Sequence, residues 1–179
     1  MDDVVRLDEG KDAIRAYVSK QAAEGRDHVL GLVSSTNDRM LLLIGDLTEA
    51  EATRVTAADE WRVFDAMQHL AASLDRSRDR LEKLSSGVPF VPPATAVVPG
   101  GLGAADYESF SDLRRSYIDG MAAILAVLRA ADPKRGFDLT ADHAQYGPFN
   151  WLEWAVYSHH VHTHDHVGQL TAIRAALRS

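Results

Sequence analysis

Apolar side chains return at helical spacing in four stretches of the chain, and no stretch reads as a convincing strand. The first covers residues 10–46. Ile14, Tyr17 and Val18 set its period, Val29, Leu30, Leu32 and Val33 resume it, and Met40, Leu41, Leu43, Ile44 and Leu47 close it. Gly25 and Gly31 weaken its middle, which predicts two helices with a break near Gly25. The second covers 59–84, with Trp61, Phe64, Met67, Leu70, Leu74 and Leu81 on one side. Arg76, Arg78, Arg80 and Glu82 form its wet side. The third covers 106–131 and stops at Asp132-Pro133. The fourth covers 150–177, with Asn150 as its cap. Four apolar stripes are buried most economically in an all-α four-helix bundle.

The connections are uneven. Thr48-Glu49-Ala50-Glu51 fits a capping box and predicts a short turn-making helix. Residues 85–104 form a long Pro/Gly-rich loop between helices 2 and 3. Its most strand-like part carries four prolines within 88–99, which remove ladder donors. This loop is expected either to cover a site or to serve as a surface linker. A second long loop, 134–149, lies between helices 3 and 4.

At 179 residues the chain is expected to form one domain, and 46% apolar residues can fill a sizeable core. A net charge of −7 argues against nucleic acid as a partner, because phosphates call for clustered Lys and Arg. With no cysteine, disulfides, thiolate metal sites and a thiol nucleophile are excluded. The start lacks a signal-peptide pattern. No unbroken apolar run, the one at 40–44 included, is long enough to span a bilayer. A cytoplasmic protein without membrane partners is the expectation.

The last helical stretch holds five of the eight histidines: His159, His160, His162, His164 and His166. So many imidazoles in so few residues point to a metal, and without cysteine the ligands are drawn from His, Asp and Glu. A helix turns about 100° per residue. On a wheel referenced to Leu152, the residues Val156, Leu170, Ile173 and Leu177 fall within about 60° and mark the core face. His159 and His166 share that face, and His162 sits at its edge. His160 and His164 point away and read as exposed. Of the two i, i+4 pairs, only His162 with His166 looks inward.

Buried imidazoles cost desolvation unless something satisfies them, so this pair favours a metal. A third ligand has to come from another helix. His69 is the natural candidate, flanked by small Ala66 and Ser73, with Asp65 one turn earlier to orient its ring. His28 lies near the suspected break and His143 in a loop. The zincin pattern His-Glu-x-x-His is missing its glutamate, since Thr163 follows His162.

Trp61-x7-His69-Leu70, the lead-in Gly147-Pro-Phe-Asn-Trp151-Leu-Glu-Trp, and His162-x3-His166-x2-Gln169 together resemble the DinB/YfiT-like superfamily. The resemblance runs from about Leu30 to Leu177 and leaves the first 25 or so residues as an extra helical arm. It departs at Val167, where relatives often carry a basic residue. It implies a four-helix bundle with a divalent metal on His69, His162 and His166, and commonly a homodimer. It also implies either a metal-dependent hydrolase or an S-transferase using a low-molecular-weight thiol such as mycothiol or bacillithiol.

A three-histidine ion leaves open positions for a small-molecule substrate. His159 is the first candidate for acid/base or supporting work, with Tyr157, Glu153 and Asp65 behind it. Zinc or nickel suits the imidazoles best, with iron, manganese or copper as alternatives. The competing expectation is a non-catalytic metal-binding or stress protein with a structural or sensory ion.

Overall fold

The computed structural model describes residues 4–91 and 107–178. Most of the 85–104 loop therefore lies outside the described residues. Helix α1 spans Lys11–Ala23 and α2 spans Arg26–Ile44. Between them Gly25 adopts φ 93°, a conformation that costs any other residue a Cβ clash, so the expected break falls where the glycine permits it. Helix α3, Glu49–Ala52, starts with the expected capping box: Glu51 donates its backbone N–H to Thr48 Oγ1, and its carboxylate accepts from Thr48 N. Glu49 also accepts from Phe110 N at 2.7 Å, which ties this turn to the next long helix.

Helix α4 spans Val63–Ser85 and α5 spans Phe110–Ala130. Val63, Met67, Leu70, Leu74 and Leu81 line one side of α4. Phe110, Leu113, Tyr117, Met121, Ile124 and Leu128 do the same for α5, and all are buried. The two helices approach so closely at Gly120 that a Cβ there would lie 2.6 Å from Leu74 Cδ1. Helices α2, α5, α4 and the final helix contact one another in a ring that encloses a single core. Each fully buried Leu, Ile or Phe side chain in it is worth about 1.5–3 kcal/mol. Helix α1 lies outside the ring and packs Ile14 and Val18 onto its neighbours.

Three local expectations are corrected. Helix α4 begins at Val63, four residues later than predicted, because Asp65 accepts from both the backbone and the guanidinium of Arg62 and caps the helix there. The 134–149 loop contains a hairpin: strand β1, Ala141–His143, pairs antiparallel with β2, Gly147–Phe149. Strands of three residues are too short to show a period. They are held by tertiary contacts instead: Trp154 Nε1 donates to Ala141 O at 3.0 Å, and Arg15 of α1 donates to the carbonyls of Tyr146 and Pro148.

The third correction concerns the last helix. Asn150 caps it as expected, accepting from Leu152 N and Glu153 N, but the helix is not continuous α-helix. Helix α6, Trp151–Val156, runs into a π-helical turn, Tyr157–Val161, and then α7, His162–Leu177. A π turn holds an extra residue and rotates everything after it relative to everything before it. The α6 half packs against α1, α2 and α4, and the α7 half against α2 and α4.

His160 is consequently buried, 4% exposed, rather than on the surface. Its ring lies between α1 and α2, hydrogen-bonded to the Tyr17 hydroxyl at 2.9 Å and the Thr36 hydroxyl at 2.8 Å. His164 is half-buried and borders a separate cavity of about 720 Å³ with His160 and Arg39. Replacing His160 with alanine opens a cavity and leaves the buried Thr36 hydroxyl without this partner. The expected cost is about 2–4 kcal/mol in urea unfolding, with metal content unchanged.

Candidate metal centre

His69 projects from the second turn of α4, and His162 and His166 project one turn apart from the start of α7. His162 Nε2 lies 3.2 Å from His69 Nε2 and 3.3 Å from His166 Nε2. One nitrogen from each ring falls within 4.8 Å of the others, and these three are the sole group of this kind among the described residues. Three nitrogens each about 2.1 Å from one ion stand about 3.0–3.4 Å apart in octahedral or tetrahedral arrangement, so both short separations fit a shared ion.

The protonation pattern fits as well. Gln169 donates its amide N–H to Asp59 Oδ2 at 3.0 Å, and a carboxylate can only accept. The Gln169 oxygen therefore faces His166 Nδ1, 2.7 Å away, so that nitrogen carries the proton. The lone pair of His166 is left on Nε2, which points at the other two rings. Burial lowers the pKa of all three histidines, His162 to about 3, so each presents the neutral imidazole that a metal requires.

Aromatic rings enclose the group. Trp61 lies in the segment before α4, where its ring stacks on His166 at 6.0 Å and meets His69 edge-on at 5.4 Å. Tyr157 stacks on His162 at 6.4 Å. Trp61 was expected on the apolar side of α4. Its actual place as a wall of the site follows from the later helix start. Asp59 also accepts from Trp61 N, so one carboxylate positions both Gln169 and the Trp61 backbone.

A family model of the DinB superfamily matches residues 32–170. The chain belongs to the DinB superfamily. No curated protein and no solved structure matches it. Of the residues that carry the resemblance to DinB proteins, the fold brings Trp61, His69, His162, His166 and Gln169 together.

Other candidates fall elsewhere in this DinB chain. Asp65 is occupied by Arg62 and gives no bond to His69. Glu153 accepts from Asn150 N and Ser19 Oγ and serves the α6 cap. His28 bonds Gln21 at 2.7 Å. His159 is 2% exposed and bonds Ser77 Oγ at 2.7 Å, so it stands behind Ser77 relative to the site. A cleft of about 360 Å³ opens beside His69 and His162, and Ser77, His143 and Tyr157 border it. By sequence His143 was only a histidine in a loop; the hairpin carries it to the site.

Two predictions arise here. Replacing Gln169 with leucine frees the His166 tautomer and lowers metal affinity about 10- to 100-fold, measurable by chelator competition. The second is an acid dependence. Burial lowers His159 to about 3, and burial with the nearby Arg80 charge lowers His143 to about 4, both from 6.5. As the pH falls through 6.5 the unfolded chain binds protons that the folded chain refuses. Stability therefore rises with pH between those values and is lost on acidification. Thermal unfolding in chelator should show the midpoint falling below pH ~6.5, with a shallower fall for His143→Gln.

Proposed function

We propose that this protein is a metal-dependent enzyme acting on a small molecule, with one divalent ion on His69, His162 and His166. The observation that carries this reading is the cleft of about 360 Å³ whose wall includes two of the three histidines. An ion held for structure alone is closed by four protein ligands, whereas three ligands beside an open cleft leave room for a substrate. A volume in this range suits a small organic molecule. Zinc or nickel is the favoured ion for three imidazoles.

The reaction classes are hydrolysis and S-transfer from a low-molecular-weight thiol. A bound divalent ion supplies Lewis acidity, which makes a water or a thiol nucleophilic near neutral pH. The chain's own groups do the rest. Trp61 and Tyr157 hold the histidine rings against rotation. Ser77 faces the cleft with its hydroxyl held by His159, so any proton handling by His159 runs through Ser77. His143 accepts backbone N–H groups from Gln145 and Tyr146 at Nδ1, which places its own proton on Nε2 as a donor.

Metal analysis of the purified protein, followed by profiling of the zinc- and nickel-loaded forms, tests the reading. Esters, amides and electrophiles with a low-molecular-weight thiol are the substrates. Turnover that needs both metal and His69 is the expected result. A loaded protein inert towards all three classes returns the site to a structural or sensory role. Assembly as a homodimer belongs to the same proposal, and light scattering on the eluting protein tests it.

A further inference from the structure

Among the described residues, the cleft beside His69 and His162 carries Arg76 and Arg80 and no aspartate or glutamate. In a chain of net charge −7 that is a local reversal of sign. The acids of α4 are engaged by other bases: Asp75 and Glu82 lie against Arg78, and Asp79 pairs with Lys83 at 2.8 Å.

Arg80 was expected on the wet side of α4 but is half-buried. Its guanidinium lies 3.6 Å from the centroid of the Trp154 ring and 5.0 Å from that of Phe90. It has no ion pair among the described residues, and its Nε is buried with no hydrogen-bond acceptor. The aromatic rings attract the cation, yet offer no acceptor to its N–H groups. Burial and the Arg76 charge lower its pKa to about 10, which leaves it cationic at neutral pH.

A planar, charged fork without an acceptor, at the edge of a cleft that holds no acid among the described residues, matches an oxyanion in charge and in geometry. We infer that the cleft takes an anionic substrate, one whose carboxylate or phosphate group is received by Arg80 with Arg76 beside it, while the reacting end lies towards His69 and His162. The position of the reacting end rests on the metal-dependent reading. The anion seat does not, since neither arginine belongs to the metal group. His143 Nε2–H adds a neutral donor to the same walls.

The test is a titration of the full chain, in chelator and again with zinc, using succinate and inorganic phosphate as probes. The Arg80 Nε–H and Trp154 indole N–H signals are followed by NMR. Saturable shifts of both signals are expected with at least one probe, and the tighter one identifies carboxylate or phosphate as the group recognised. Arg80→Gln should weaken binding about 10- to 100-fold, the loss of a charge-assisted contact. Arg80→Lys, which keeps the charge but not the fork, should fall between.

Neither probe saturating in the wild type, shifts that bypass Arg80 and Trp154, or Arg80→Gln binding as tightly as wild type would each overturn the inference. The first two readouts need no variant, so a poorly folding Arg80→Gln does not blunt the test. His162→Ala separates the two proposals. Loss of metal with the anion still bound leaves the seat intact, whereas a protein that never binds metal but loses the anion in Arg80→Gln removes only the proposed chemistry.

Discussion

Replacing His162 with alanine should abolish stoichiometric metal binding. Both short nitrogen separations pass through this residue, 3.2 Å to His69 and 3.3 Å to His166. Without it two imidazoles from different helices remain, and neither geometry nor ligand count holds an ion well. The loss should exceed the factor of about 10–100 expected for altering a supporting residue such as Gln169. Elemental analysis after desalting reads it directly: about one ion per chain in the wild type and almost none in the variant. Unfolding adds an independent measure, because an ion bound by the folded chain alone raises its stability. Zinc should raise the melting temperature of the wild type and leave His162→Ala where it is in chelator. Equal metal content in the two proteins would falsify the assignment of this site.

Trp151→Ala should be the most damaging core substitution near the site. Trp151 is fully buried at the start of α6, its Nε1 donates to Arg135 O at 3.0 Å, and its ring lies 5.8 Å from that of Phe137. Truncating a buried tryptophan costs about 3–5 kcal/mol, as the lost transfer energy plus the cavity left behind. The unpaired Arg135 carbonyl adds to it. Because α6 leads directly into the π turn and the histidine pair, loss of this anchor should also weaken metal binding. The urea midpoint and chelator competition measure the two effects on one sample. Trp151→Phe keeps most of the volume and should recover much of the stability. A Trp151→Ala protein within about 1 kcal/mol of wild type would show that this end of the helix is not held by packing.

Much of the site was legible because its informative features are local. The His162–His166 pair needs one turn of α-helix and nothing else, and both residues lie within α7, after the π turn. The wheel therefore selected the pair that the fold brings against His69, although its reference, Leu152, lies before that turn. The Thr48 and Asn150 caps were legible for the same reason: each is a bond between residues three apart or closer. Gly25 marked the break because the constraint sits in its own φ angle.

His160, Trp61, Arg80 and Asp65 were misplaced for the opposite reason. A single helix wheel assumes unbroken α-helix with one covered side, and here the π turn and a second covering by α1 and α2 bury His160. The capping bonds of Arg62 with Asp65 move the start of α4, which turns Trp61 from a core residue into a wall of the site. Arg80 looks like any exposed arginine until Trp154, seventy-four positions later, lies against it. Helical period, the absence of cysteine and the histidine spacing set the fold class and the candidate ligands, since these follow from chemistry within a few residues. Which side chains the ligands face, what shuts off the solvent and where a charge goes unpaired depend on contacts between distant segments, and no periodicity carries that information.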